Sequence, residues 1–108
     1  MRQLAGLTIL MAVLAIATSR ARGQVGDVSA GHAFARQACV ACHVVEAREA
    51  RPRVIAIGPA FTAIANTPGM TATALRVYLT TSHPKMPNVI LTPADMDDVI
   101  AYIRSLRR

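Results

Sequence analysis

Two cysteines and one histidine form the part of the sequence best suited to chemistry. Both cysteines of the chain lie in the segment Cys39-Val-Ala-Cys42-His43. Thiols three positions apart near a helix end point the same way, so each can add to one vinyl group of a single porphyrin. His43 is then held beside the iron and must bind it. The spacing is typical of c-type haem attachment, so we expect one covalent haem c on Cys39 and Cys42.

Two other uses of the cysteines are weaker. A redox-active disulfide between Cys39 and Cys42 is typical of a strand–helix context in a larger α/β fold, which this sequence does not indicate. A structural zinc ion needs four ligands. Beyond the motif only His32 and His83 are available, and neither belongs to a second paired motif.

The rest of the chain is predicted to be helical. A first helix is expected over about 29–41, begun by Asp27 or Ser29, and a short one over about 60–65. Thr71 can begin a third helix, which carries Leu75, Tyr78 and Leu79 on its inner face. Pro84 and Pro87 predict an irregular segment before the last helix, because neither can continue a helix.

The last helix has the clearest start and the clearest apolar stripe. Thr92 is the expected cap, with Pro93 at the first helical position and Asp95 three residues after the cap. The stripe follows helical spacing and consists of Met96, Val99, Ile100, Ile103 and Leu106. Few segments alternate with a period of two, so we expect an all-α domain with long irregular connections.

The N-terminal segment is predicted to be a signal peptide. Arg2 precedes an uncharged, mostly apolar run over 4–17, and small residues follow. This order is typical of a secretory signal, with cleavage after Ala17, Ala21 or Gly23. We therefore divide the chain into a signal peptide, 1–23, and a domain, 24–108, in the periplasm. An uncleaved anchor is the alternative, although the run is shorter than the 20 or so residues of a spanning helix.

Length, composition and charge exclude several classes of protein. A chain of 108 residues allows one small domain, which excludes a doubly wound dinucleotide-binding fold or a (β/α)₈ barrel. A hydrophobic fraction of 53% excludes intrinsic disorder. The net charge of +6 falls to +3 if cleavage follows Gly23, which is too weak and too evenly spread to indicate a nucleic-acid partner. Aromatic residues make up only 4% of the chain, so a flat macrocycle would supply missing bulk.

Residues from about 29 to 106 resemble a small bacterial class I cytochrome c. The resemblance rests on Gly31 and Phe34 before the haem motif, Gly58-Pro59 after a loop, Lys85-Met86-Pro87, and a final helix that contains Tyr102. It implies three to four helices wrapped around one covalent haem. One departure concerns the first helix, where Ala35 stands at the position four before the first cysteine that is often aromatic.

The resemblance also implies roles for several residues. His43 would be the proximal iron ligand, and Pro59 would offer its backbone carbonyl to the other ring nitrogen. Gly31 would let the first helix cross the last one closely, near Tyr102. Tyr78 is expected either to line the haem pocket or to serve as a core aromatic.

The sixth ligand is expected to be Met86. Met96 belongs to the apolar stripe of the last helix, and Met70, which follows Pro68-Gly69, fits a cap contact or core filler. Met86 lies between two prolines, where a thioether has no helix face to justify it, and the family places its ligand methionine in such a loop. His83 is the main competitor, although a surface position suits it better.

These ligands predict a one-electron carrier rather than an enzyme. With histidine and methionine on the iron no position stays open, and this pair raises the reduction potential. We expect transient redox partners that dock over an exposed haem edge through a small interface, and a monomer or weak oligomer. Two alternatives remain: a ligand sensor or enzyme with an open distal site, and a dedicated electron-accepting subunit of a periplasmic oxidoreductase.

Overall fold

Four α-helices and no β-strand make up the regular structure of the described residues, which confirms the all-α prediction. The computed structural model describes residues 25–48, 57–81, 86 and 89–108. The predicted signal peptide and the residues around Met86 lie outside these ranges. Among the described helices, none combines the length and the apolar character needed to cross a membrane. The helices are α1 (Val28–Ala38), α2 (Phe61–Ala65), α3 (Ala72–Thr80) and α4 (Pro93–Ser105).

Three of these helices begin where short polar side chains can accept backbone hydrogen bonds. Asp27 accepts from the Ala30 amide at 2.7 Å and begins α1. Thr71 begins α3 in the same way. At α4, Thr92 and Asp95 form a reciprocal capping box, with Pro93 at the start of the helix. These caps satisfy amides that have no partner inside the helix, so the predicted starts are confirmed.

The α1 helix ends three residues earlier than predicted. It stops at Ala38 because the chain turns sharply at the first cysteine. The amides of Cys42 and His43 both donate to the Cys39 carbonyl, at 3.1 and 2.9 Å. The haem-binding motif therefore lies in a turn after α1, and His43 does not continue the helix.

Helix α4 supplies most of the core. Its predicted stripe is buried from Met96 to Ile103, and Leu106 packs against the edge of the core. Ala101 and Tyr102 are buried as well, so the helix is covered on more than one side. Leu75 of the predicted inner face of α3 is fully buried and Leu79 packs against the core. The alternative that Tyr78 is a core aromatic is wrong, because its side chain is 56% exposed.

Two glycines lie closely against α4, one within α1 and one just before it. A Cβ atom on Gly31 would overlap the backbone carbonyl of Asp98, and one on Gly26 would overlap that of Asp97. The Asp98 carboxylate accepts a 2.7 Å hydrogen bond from the Asp27 amide, which ties the start of α1 to α4. The two helices can therefore cross at this distance only without a side chain at position 31.

We predict that Gly31→Ala lowers the free energy of unfolding of the holoprotein by about 1–3 kcal/mol, because overlap outweighs the better helix propensity of alanine. Gln37→Ala, on an exposed position of the same helix, should change it by less than about 0.5 kcal/mol. Denaturant unfolding measures both. Equal stability of the Gly31→Ala variant and the wild type would contradict the close crossing.

Candidate functional site

The two cysteines of the motif lie in the turn that follows α1. Both thiols are free and half-buried. Cys39 packs against the edge of the hydrophobic core, and burial raises the pKa of its thiol. The two sulfurs are therefore held on a short turn whose backbone is closed by hydrogen bonds to the Cys39 carbonyl.

The ring of His43 is fixed by the segment that starts at Gly58. Its Nδ1 lies 2.7 Å from the carbonyl oxygen of Pro59. A carbonyl oxygen only accepts, so Nδ1 must carry the ring proton, and the neutral ring then has its lone pair on Nε2. Gly58 packs directly on the ring, since a Cβ there would lie 2.5 Å from Cε1. The arrangement leaves Nε2 as the one ring nitrogen able to bind a metal.

Backbone hydrogen bonds hold this segment against the motif. The Gly58 amide donates to the Cys42 carbonyl at 2.8 Å, and the Phe61 amide donates to the Val44 carbonyl at 2.9 Å. The Phe61 ring lies against His43, with ring centroids 5.4 Å apart. The loop and the motif therefore form one unit, which places the Pro59 carbonyl opposite the histidine.

Tyr102 connects this unit to α4. Its hydroxyl donates a 2.5 Å hydrogen bond to the carbonyl of Val45, two residues after His43. Tyr102 is only 6% exposed, and its ring lies 6.3 Å from Phe61. Burial raises the pKa of the Tyr102 hydroxyl, the charge of Glu46 raises it further, and Arg36 opposes both.

The structure gives fewer contacts for the other predicted site residues. Met86 is half-buried, but its neighbours Lys85 and Pro87 lie outside the described residues, as does His83. Tyr78 is largely exposed on α3, so its place in a haem pocket stays a prediction. Sequence reasoning overlooked Phe61 and Val45. Two features of the sequence could have identified Phe61: it closely follows Gly58-Pro59, and it is one of only two phenylalanines.

The groups around the motif fit a haem. The thiols of Cys39 and Cys42 can form the two thioether bonds, and the His43 ring beside them has an unprotonated nitrogen. Two apolar side chains of this region are exposed, Val40 within the motif at 45% and Ile57 just before Gly58 at 71%. An apolar macrocycle could cover such surface, whereas a bare metal ion could not. Within the described residues there is also no cluster of three His, Cys, Asp or Glu residues that would suit a metal ion.

Comparison with known proteins agrees with this donor set. The sequence model of the family described as Cytochrome c matches residues 28–107. The chain belongs to the cytochrome c family. It is 36% identical over 97 residues to cytochrome c-552 of Bradyrhizobium diazoefficiens, which covers 88% of this chain and 89% of that relative. No solved structure matches the chain.

Membership of the family establishes the cofactor and the general role. A cytochrome c carries covalent haem c with its iron, and this chain has two cysteines at the corresponding spacing. The chain is accordingly a haem-based electron carrier that works with redox partners.

We predict that Gly58→Ala displaces the His43 ring and weakens its bond to Pro59, because the added methyl group meets the ring atoms Cε1 and Nδ1. The free energy of unfolding of the holoprotein should fall by about 1–3 kcal/mol. Ala63→Ser, at an exposed position of α2, should change it by less than about 0.5 kcal/mol. A Gly58→Ala protein as stable as the wild type would show that the ring does not pack on Gly58.

We predict that Tyr102→Phe lowers stability at neutral pH by about 1–2 kcal/mol, because the buried Val45 carbonyl loses its donor. Folding raises the Tyr102 pKa above its usual value of about 10, so this contribution is complete below about pH 10 and is lost as pH rises through the folded-state pKa. The gap between wild type and variant should therefore narrow in alkaline solution. Denaturant unfolding at a series of pH values measures it, and a constant gap would be contrary to expectation.

Proposed function

We propose that the chain is a periplasmic one-electron carrier whose haem is attached to Cys39 and Cys42 and whose iron is bound by His43 and Met86. The observation that carries the proposal is the orientation of His43. His43 follows the second cysteine directly, and its Nδ1 donates to the Pro59 carbonyl at 2.7 Å. This hydrogen bond leaves Nε2 for the iron. An imidazole held in one orientation supports the same iron ligand in the ferrous and the ferric form.

The other methionines of the domain support Met86 as the second ligand. Met96 is 7% exposed and packs within the core on α4. Met70 packs against the edge of the same core. The side chains of Met96 and Met70 therefore both pack in or against the core. Met86, in contrast, lies in the proline-bounded segment before α4. A methionine in that segment can reach the iron without disturbing a helix.

The proposed ligands define what this chain does to its cofactor. When bound, haem supplies one-electron exchange between its ferrous and ferric forms. His43 and Met86 together leave no position for a substrate or for O₂. Apolar side chains such as Val40, within the motif, and Ile57, near it, would lower the polarity around the group. Lower polarity disfavours the extra positive charge of the ferric form and raises the reduction potential.

The sequence supports export and transient partnership. The segment 1–23 has the pattern of a signal peptide, and its removal leaves residues 24–108 with a charge of +3. We infer a monomer or weak oligomer that docks briefly with redox proteins over the exposed edge of its haem. Small interfaces are characteristic of such electron-transfer encounters.

A pair of matched leucine variants tests the methionine ligand. Leucine keeps the approximate volume of methionine but lacks the sulfur. We predict that Met86→Leu abolishes the weak far-red band that thioether-bound ferric haem shows, and that ferrous Met86→Leu protein binds carbon monoxide rapidly. Met70→Leu should keep the band and bind carbon monoxide as weakly as the wild type.

Two results would contradict the proposal. Survival of the far-red band in Met86→Leu would show that another residue binds the iron. Rapid and tight binding of carbon monoxide by the wild-type protein would favour an open distal site, and with it a ligand sensor or an enzyme.

A further inference from the structure

Helix α1 meets Tyr102 through a histidine. The two fully enclosed residues of the helix, Gly31 and Ala35, are small and contribute no ring to the contact with α4. The ring of His32 lies over Tyr102 instead, with centroids 4.7 Å apart and the planes inclined by 34°. The position and orientation of the Tyr102 side chain therefore depend in part on His32.

The same imidazole also binds a carboxylate in the loop after the haem motif. His32 Nε2 lies 3.0 Å from both oxygens of Glu46. Arg36, one turn later on α1, places its Nε 3.6 Å from the same carboxylate. Both members of the His32–Glu46 pair are about one-third exposed. Since the pair joins residues 14 positions apart, it ties the loop to α1.

Three consecutive residues after His43 are thus held by three different elements. The carbonyl of Val44 accepts from the Phe61 amide of α2. The carbonyl of Val45 accepts from Tyr102 of α4. The carboxylate of Glu46 is bound by His32 of α1. Of these partners, His32 acts twice, because its ring also packs on the tyrosine that holds Val45.

We propose that His32 is a positioning residue for His43, which it fixes indirectly through Glu46 and Tyr102. This inference rests on the proposed function, in which His43 binds the iron. Loss of His32 releases Glu46 and uncovers one face of Tyr102, so the segment that starts one residue after the ligand becomes less constrained. Phenylalanine could replace the ring packing alone, and glutamine could replace the hydrogen bond alone.

Amide hydrogen exchange of the ferrous holoprotein tests the proposal at named positions. We predict that His32→Ala speeds exchange of the Phe61 amide, which donates to Val44, by about tenfold through local opening. The Leu75 amide of α3, which donates to the Thr71 carbonyl, should keep its rate. Gln37→Ala, an exposed change on the same helix, should leave both rates unchanged.

The partial replacements separate the two contacts of His32. His32→Phe and His32→Gln should each speed exchange of the Phe61 amide by less than His32→Ala does. They also keep the test decisive if His32→Ala does not accumulate as holoprotein. Equal acceleration at Phe61 and Leu75 would indicate a general loss of stability and would overturn the positioning role, as would an unchanged Phe61 rate in all three variants.

Paramagnetic NMR of the ferric holoprotein distinguishes this inference from the proposed function. In the wild type, the His43 ring protons should show large shifts caused by the iron, and these should change in His32→Ala but not in Gln37→Ala. Shifted protons that are identical in all the proteins would overturn the role of His32 alone. Unshifted His43 protons in the wild type would overturn the proposed ligand and, with it, this inference.

Discussion

The hydrogen bond between the His43 ring and the Pro59 carbonyl is the constraint on which the rest of the site depends. At 2.7 Å it determines which ring nitrogen carries the proton and which is left for a metal. The loop from Gly58 to Phe61 must therefore lie directly beside the haem-binding motif. Backbone hydrogen bonds from Gly58 and Phe61 hold it there, and a side chain at position 58 would leave no room for the ring. The described ends of the connection between α1 and α2, residues 39–48 and 57–60, are thus a structural part of the site.

The helices pack around the unit formed by the haem-binding motif and the loop from Gly58 to Phe61. Helix α4 supplies Tyr102, whose hydroxyl reaches the Val45 carbonyl, and its crossing with α1 is close because Gly31 has no side chain. Helix α2 begins at Phe61, which lies between Tyr102 and His43. Chain connectivity brings the cysteines next to the histidine, whereas these long-range contacts give the histidine its orientation. A domain with so few aromatic residues places two of them, Tyr102 and Phe61, between α4 and His43.

Local signals in the sequence predicted what local chemistry determines. The caps at Thr71 and Thr92 and the stripe on α4 each depend on residues within a few positions of one another, and each is present as predicted. The early end of α1 depends on the turn at Cys39. The exposure of Tyr78 depends on how much of α3 the other helices cover, which spacing cannot show. The His32–Glu46 pair joins a helix to a distant loop, and neither residue type indicates such a partner.

Nuclear magnetic resonance of the ferrous holoprotein with ¹⁵N-labelled histidine and ¹³C-labelled proline tests the central claim most directly. If His43 binds iron through Nε2 and donates from Nδ1 to Pro59, only Nδ1 of its two ring nitrogens carries a proton. Its Nδ1 proton then persists and shows coupling to the Pro59 carbonyl carbon. A His43 ring whose Nδ1 shows no coupling to Pro59, or a different histidine that shows this coupling in its place, would contradict this account of the site.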